Sequence, residues 1–339
     1  MVYRSFIIEN LNYSITIDLK EDLQKYSKRI ISNCGFKCGN NEDYIRLYFN
    51  MQKRLISAVP RSVVKSKEFK CPHEYYRALE EIENKIQNGE NLVPYMSDKI
   101  LDLKYEDLLL SDWNIHHLHL SRRKRADGFI KRSDYELFVY ISNETIYFIQ
   151  IYPHSKKHLY STQEMVRIIH NNWPNMISKF RINGVLGGTD KITDEGHDFL
   201  RKKGVNTFVD LGNETLYVPF GGGYASNGSS VDVTRQSDYW KSLMIQCQHF
   251  IVREIKRIIK AIYQIKKENV SHDLIFTMIY LNGDEMTLLE RNNKVCLQLF
   301  RTKKFYRICC PQDLFVDEKS YIENKIDLVI KNHKLSSNL

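Results

Sequence analysis

Three histidines in one short segment are the residues whose types and spacing are best suited to chemistry. His116, His117 and His119 lie within residues 113–120, which alternate between apolar and polar side chains as a β-strand does. Successive side chains of a strand point to opposite faces, so His117 and His119 share one face and His116 lies on the other. An imidazole has the side-chain pKa nearest neutrality. Two imidazoles side by side could transfer protons or bind a metal.

Another histidine follows a later strand-like segment. Residues 136–142 and 145–152 are separated by a short turn, which predicts an antiparallel meander with the histidine-bearing strand. His154 comes directly after this meander. If the three strands are neighbours, His154 lies beside His117 and His119. We therefore predict these three histidines to be the catalytic residues.

A concentration of positive charge follows the first histidines. Residues 121–132 carry six positive charges against one negative, and they lie between two predicted strands as a loop or the tip of a β-ribbon. Such a surface can follow a phosphate backbone, with an affinity that falls steeply as salt rises. The alternative is a solvated loop without a partner. The predicted nucleic-acid-binding residues are Arg122, Arg123, Lys124, Arg125, Lys131 and Arg132.

RNA cleavage would use both groups of residues. Attack by the ribose 2′-hydroxyl needs a base, an acid for the leaving oxygen, and cations that stabilise the charged phosphorus intermediate. This chemistry favours RNA as the partner and needs neither metal nor cofactor. Two alternatives stay open. The histidines could be structural, or they could form a three-nitrogen metal site, although no His-Glu-x-x-His or aspartate-rich motif accompanies them.

The composition of the chain is that of a folded protein with a polyanionic partner. Of 339 residues, 42% are hydrophobic and 27% charged, and the net charge of +9 favours nucleic acid. Seven scattered cysteines are typical of a reducing compartment. The first residues do not resemble a signal peptide, and no segment approaches the roughly 18 apolar residues of a membrane span. We therefore expect a cytoplasmic protein with no membrane partner.

The order of the elements predicts an α+β fold, with small antiparallel sheets flanked by helices, in three modules. Residues 1–90 are expected to form a mainly helical module that opens with a hairpin. Residues 95–235 hold the histidine-rich antiparallel sheet and glycine-rich loops. Residues 236–335 begin with one long amphipathic helix over 238–267 and continue with hairpins and a closing helix over 318–330.

Two further features leave alternatives open. The long helix has a cationic face as well as its apolar stripe, so a scaffold that pairs with itself or another protein is a third possibility beside the nucleic-acid readings. A homodimer or a regulatory protein partner is compatible with this pattern. The run Gly221-Gly222-Gly223 lacks the lysine and hydroxyl ending of a phosphate-binding loop, and it predicts a mobile lid or a plain loop.

A strand, a basic turn, two further strands and a final histidine follow one another over residues 113–175. The two strands contain Leu137-Phe138-Val139-Tyr140 and Ile146-Tyr147-Phe148-Ile149, and the histidine lies in Tyr152-Pro153-His154. In this order of elements the segment resembles the core of the RelE and HigB group of bacterial mRNA-interferase toxins. The resemblance implies a small antiparallel sheet that cleaves RNA without metal, with His154 and the basic turn at the scissile phosphate.

The expected function is therefore that of a nucleic-acid-binding protein and metal-independent ribonuclease, as a toxin or antiphage defence effector. The alternative is a non-catalytic nucleic-acid-binding or scaffold protein of a prokaryotic defence or toxin–antitoxin system.

Overall fold

A computed structural model describes residues 2–8, 11–182, 191–282, 285–301 and 306–309. These residues form an α+β fold, which confirms the fold class expected from the sequence. The helices are α1 (Leu19–Asn33), α2 (Tyr44–Arg54), α3 (Tyr76–Gln87), α4 (Leu108–Trp113), α5 (Glu164–Asn172), α6 (Pro174–Ile177), α7 (Asp194–Lys202), α8 (Val231–Arg253) and α9 (Ile255–Lys266). The strands are β1 (Val2–Ile8), β2 (Leu11–Ile17), β3 (Ser62–Lys65), β4 (Ile115–His119), β5 (Tyr135–Ile141), β6 (Thr145–Pro153), β7 (Arg181–Ile182), β8 (Val209–Asp210), β9 (Leu216–Tyr217), β10 (Asp273–Asn282), β11 (Glu285–Glu290), β12 (Val295–Arg301) and β13 (Tyr306–Cys309).

The described residues fall into two compact units. One unit contains the residues up to Tyr48 and from Ser237 onward, and the other contains residues 49–236. The segment 1–90, expected as one module, is therefore divided between them.

The first unit is built around a six-stranded sheet with the order β1-β2-β10-β11-β12-β13. Its pairs are antiparallel except β2 with β10, which run parallel. The opening hairpin and the C-terminal hairpins expected from the alternating pattern are thus confirmed. Helix α1 begins where the Asp18 side chain accepts a hydrogen bond from the Glu21 N–H at 3.1 Å, and it packs its apolar face on β10.

The long helix expected over residues 238–267 is two helices. Helix α8 begins earlier, at Val231, and it ends at Arg253 because Glu254 leaves helical geometry, with φ −88° and ψ 9°. The Arg257 N–H bonds the Glu254 carbonyl, a tighter turn than that of an α-helix. No proline or glycine marks this break, and the apolar stripe continues across it. The sequence therefore predicted a single helix. The closing helix expected over 318–330 lies outside the described residues.

The second unit is built around a four-stranded sheet with the order β3-β6-β5-β4. Strands β4, β5 and β6 form the antiparallel meander expected from the sequence. Strand β3, which the sequence pattern did not indicate, joins β6 in parallel. Strands β7, β9 and β8 form a separate small sheet. Because β4 lies at the edge of the larger sheet, its histidines lie at that edge.

Strand β4 is held at its first residue by the core. Helix α4 ends at Asn114, whose left-handed backbone (φ 50°) turns the chain directly into β4. Trp113 and Ile115, on either side of this turn, are fully buried with Phe138 of β5 in one apolar cluster beneath α5. Burial of side chains of this size stabilises the unit by about 2–3 kcal/mol each. The start of β4 is therefore fixed on both sides.

The glycine run packs tightly against α4. A Cβ at Gly221 would lie 2.6 Å from the Ser111 carbonyl oxygen, so only glycine fits there. The Gly221 and Gly223 N–H groups donate to the carbonyls of Asp112 and Ser111, each at 2.8 Å. The lid or plain loop expected here is thus a packing segment that supports the end of α4.

Candidate functional site

The register of β4 with β5 places the first two histidines. His117 lies opposite Phe138 and His119 opposite Glu136, so both histidines share one face of the sheet, as their alternation predicts. Their ring centroids are 6.4 Å apart in an edge-to-face arrangement. His116 is buried on the other face. The strand therefore presents two imidazoles, His117 and His119, on the same side.

His154 joins the same face from the end of β6. Its N–H donates to the Asp134 carbonyl at 2.7 Å, which continues the pairing with the β5 side one residue beyond β6. The His154 side chain is half exposed, and its Nε2 lies 3.7 Å from Glu136 Oε1. Strands β4 and β6 are not neighbours, but both pair with β5, and their histidines approach each other at Glu136 of that strand.

A buried carboxylate, Glu136, lies at the centre of this arrangement. It is 1% exposed, and its Oε1 lies 3.6 Å from His119 Nδ1. Its Oε2 accepts a hydrogen bond of 2.9 Å from the hydroxyl of Tyr160. The Tyr160 ring contacts two histidines of the same face, with centroid distances of 5.4 Å to His117 and 6.4 Å to His154. We call these five residues the Glu136 cluster.

The Glu136 cluster opens into a cleft of about 480 Å³. One part of its wall is cationic, with Lys99, Arg132, Arg201 and Lys202, and another part is apolar or aromatic, with Tyr105, Leu108 and Leu109. A cavity of this size is typical of small-ligand and substrate sites. The remaining lining residues outside the cluster are Ser97, Glu106 and Asp198.

Burial sets the protonation of two members of the cluster. Burial lowers the pKa of His119 to about 4 and outweighs the opposite effect of Glu136. Burial first, and then the Glu136 carboxylate, raises the pKa of Tyr160 well above its usual range. At neutral pH, His119 is therefore a neutral imidazole and Tyr160 keeps its proton.

Two imidazole nitrogens in the cluster make no hydrogen bond with the described part of the protein. In the described part of the chain, Nδ1 of His117 and Nδ1 of His119 are buried without a hydrogen bond. A buried polar atom without a partner costs about 1–3 kcal/mol. Both histidines line the cleft, but these two nitrogens are themselves buried.

The basic segment, residues 121–132, is a short ribbon beside the cleft. The Arg125 N–H donates to the Phe129 carbonyl and the Lys131 N–H to the Arg123 carbonyl, each at 2.7 Å. The buried side chains of Phe129 and Ile130 anchor the ribbon. Of the two structures expected from the sequence, a loop or the tip of a β-ribbon, this geometry matches the β-ribbon.

All six cationic side chains of the basic segment are exposed, but they differ in their partners. Arg125 and Arg132 pair with Asp98 at 2.9 and 3.5 Å, and Arg122 lies 3.5 Å from Glu81. Arg132 also lines the cleft. Within the described ranges, no ion pair is found for the other three, which are Arg123, Lys124 and Lys131.

A second buried carboxylate, Asp112, lies in the same unit. His197 Nε2 and Arg201 Nη2 bond its Oδ2 at 2.9 and 2.6 Å, and Thr207 Oγ1 lies 2.6 Å from His197 Nδ1. Asp112 and His197 are completely buried. The Arg201 guanidinium also donates to the backbone carbonyl of Tyr160. We call Asp112, His197, Arg201 and Thr207 the Asp112 cluster.

Sequence reasoning missed two members of the Glu136 cluster. Glu136 directly precedes the apolar segment Leu137–Tyr140. A carboxylate at the start of a buried strand is uncommon, and it was a signal that sequence reasoning could have used. Tyr160 lies in a short 3-10 helix, Leu159–Ser161, after β6. Its approach to Glu136 depends on the path of the intervening loop, for which the sequence carries no local pattern.

Two structural findings bear on the other expectations. Among the described residues, no three or more His, Cys, Asp or Glu side chains are grouped so that they could hold a metal ion. Over the same residues, no helix combines the length and the apolar composition that crossing a bilayer requires.

Comparisons with known proteins leave the site without a family. No protein-family model, no curated protein and no solved structure matches this chain.

Proposed function

We propose that the Glu136 cluster is the active site of a metal-independent endoribonuclease. The observation that carries the proposal is that His117 and His154 both contact the Tyr160 ring, in one cleft bordered by Arg132. A phosphate bound at this ring could be approached by both imidazoles. Attack of the 2′-hydroxyl on phosphorus requires a base for that hydroxyl and an acid for the leaving oxygen.

The reaction would be a transesterification within the RNA strand. His117 takes the proton of the 2′-hydroxyl, and this oxygen forms a bond to phosphorus. The bond from phosphorus to the 5′-oxygen of the next nucleotide breaks, and His154 gives that oxygen a proton. The products are a 2′,3′-cyclic phosphate and a 5′-hydroxyl. His154 suits the acid because its side chain is half exposed and lines the cleft.

His119 has a different role in this proposal. With its pKa lowered to about 4, it is too weak a base to take a proton efficiently near neutral pH. As a neutral imidazole it can donate one hydrogen bond to a phosphate oxygen. Nδ1 of His119 makes no hydrogen bond among the described residues, and Glu136 Oε1 lies 3.6 Å from it.

Cations complete the proposed site. Arg132 lines the cleft and can stabilise charge on the phosphorane, whereas Arg123, Lys124 and Lys131 extend along the exposed ribbon and can contact neighbouring phosphates. The resemblance of residues 113–175 to the RelE and HigB toxins supports the same assignment and favours a toxin or defence effector.

Histidine variants test this proposal. We expect His117→Ala and His154→Ala each to lower the single-turnover cleavage rate of labelled single-stranded RNA by a factor of about 10²–10⁴, the usual contribution of a group that transfers a proton. His73→Ala is the matched control, because His73 is exposed on the same unit and lies outside the cleft. Its rate should equal that of the wild type.

The same assay separates the alternative function. A wild-type protein that binds RNA but does not cleave it would be a non-catalytic binding protein, and the ribonuclease proposal would be wrong. Equal loss of activity in the His73 control would point to a general defect rather than to the chemistry.

A further inference from the structure

We propose, on the basis of the ribonuclease function above, that the cleft accepts one unpaired base of the substrate beside the scissile phosphate. The substrate would then be single-stranded RNA. The inference concerns the part of the cleft wall that the cleavage chemistry does not use, which Tyr105, Leu108 and Leu109 line.

These residues form an apolar and aromatic wall next to the proposed phosphate position. Tyr105 and His117 both line the 480 Å³ cleft and also an adjoining pocket of about 30 Å³. The Tyr160 ring is 5.4 Å from that of His117. The rings of His117 and Tyr160 are therefore in contact, and a third ring, that of Tyr105, lines the same cleft.

The wall is held rigidly by the start of α4. The Asp107 side chain accepts a hydrogen bond of 3.0 Å from the Leu110 N–H and so caps the helix. Leu109 is buried in the core cluster that also contains Trp113, and Leu108 is half buried. A preformed wall of this kind binds a flat ring at a low cost in conformational entropy.

A phosphodiester alone does not explain an apolar wall, because phosphate and ribose are polar. Bases do explain it, since unpaired bases stack on aromatic side chains in proteins that bind single strands. Lys99 adds a cation beside the wall, with its Nζ 5.3 Å from the centroid of the Tyr105 ring. In the described part of the chain no ion pair is found for Lys99, so it can contact the phosphate of the bound nucleotide.

This arrangement predicts a preference for single-stranded over double-stranded RNA. A base within a duplex is stacked and paired, so it would have to leave the helix before it could enter the cleft. The basic ribbon alone would not distinguish the two forms, because both carry a phosphate backbone.

The test measures binding without cleavage. The probe is a fluorescein-labelled, mixed-sequence 2′-O-methyl RNA, which has no 2′-hydroxyl to attack, either alone or annealed to its complement. With the full-length wild-type chain we expect the single strand to bind roughly tenfold more tightly than the duplex, the contribution of about one base stack. Tyr105→Ala should remove most of this preference, and Tyr105→Phe should keep it.

Tyr76→Ala is the control, because Tyr76 is an exposed tyrosine of the same unit outside the cleft. Equal affinity for single strand and duplex, or equal losses in the Tyr105→Ala and Tyr76→Ala variants, would overturn the base subsite. This result is independent of catalysis. A protein that prefers single strands through Tyr105 but never cleaves RNA would refute the ribonuclease proposal alone, and one that cleaves both forms equally would refute the base subsite alone.

Discussion

The second unit contains two buried carboxylates with histidine neighbours, and they differ in how completely their partners are bonded. In the Asp112 cluster both nitrogens of His197 have partners at 2.6–2.9 Å, and no part of the imidazole reaches solvent. In the Glu136 cluster the two imidazoles nearest the carboxylate lie 3.6 and 3.7 Å from it, and one of them is half exposed.

This difference separates a structural network from a site prepared for a ligand. Asp112 bonds an arginine and a histidine through Oδ2, while its Oδ1 is buried without a hydrogen bond in the described part of the chain, and the Oδ2 bonds join α4 to α7. A carboxylate with loosely placed imidazoles at a cleft leaves bonding capacity for a substrate. The two clusters meet at Tyr160, whose carbonyl accepts from Arg201 and whose hydroxyl donates to Glu136. The first cluster thus positions a residue of the second.

The largest expected effect is on stability, at the Asp112 cluster. Asp112→Ala leaves Arg201 as a buried charge without its carboxylate, and removal of one partner of a buried pair costs about 3–5 kcal/mol. Urea unfolding followed by tryptophan fluorescence measures this loss, because Trp113 and Trp173 both lie in this unit. If the free energy of unfolding fell by less than about 1 kcal/mol, which is typical of an exposed ion pair, the Asp112 cluster would not have the structural role that we assign to it.

The next effect is the pH dependence of stability at His119. Its pKa is about 4 in the folded protein against 6.5 for a free imidazole, so the unfolded chain binds this proton more readily. Stability from this residue is therefore complete above pH 6.5 and is lost as the pH falls towards 4, by about 3 kcal/mol at the lower end. His116, with the same lowered pKa, adds to the slope.

We expect the variant His119→Asn to unfold with a shallower pH dependence than the wild type over this interval. His73→Asn, at an exposed position, should keep the wild-type slope. Identical slopes in all three proteins would mean that His119 is not held neutral by burial.

A third effect is on the proposed activity, at Glu136. Glu136→Gln keeps an oxygen for the Tyr160 hydroxyl but removes the charge beside His154, so we expect cleavage to slow by about 100-fold, while stability changes by less than in Asp112→Ala. Single-turnover rates and urea unfolding of the same preparations measure both quantities. If instead stability collapsed and the rate of the folded fraction were normal, the two carboxylates would have the same structural role.

The smallest effect is at the basic segment, which supplies affinity in this account. Arg123→Ser should raise KM a few-fold, leave kcat unchanged, and reduce the slope of log affinity against log salt by about one. Arg77→Ser, at an exposed position of α3 outside the segment, is the control. A fall in kcat with no change in the salt slope would place Arg123 in the chemistry instead.

The periodicity of the sequence predicted the strands, but it did not predict which residues meet between neighbouring strands. The alternation of residues 113–120 placed His117 and His119 on one face, since the two-residue period of a strand is a local property. It could not identify Glu136 as the residue opposite His119, because the register between two strands depends on the turn and the core they share. The position of His154 near the other two histidines depends on the strand order β6-β5-β4. The sequence predicted this order only through the general tendency of successive strands to pair with each other.

The Asp112 cluster was beyond sequence reasoning for a related reason. Asp112 and His197 are separated by 85 residues, and each sits in an ordinary helical context. The break at Glu254 shows the converse, since an unbroken apolar pattern concealed an interruption of the helical geometry.

The central claim is that the Glu136 cluster cleaves RNA through its 2′-hydroxyl without a metal, and the ends of the products test it most directly. Wild-type protein in EDTA should convert single-stranded RNA into fragments with 2′,3′-cyclic phosphate and 5′-hydroxyl ends, and it should leave the all-deoxy strand of the same sequence intact. Fragments with 5′-phosphate ends, cleavage of the deoxy strand, or activity that EDTA abolishes would contradict the account.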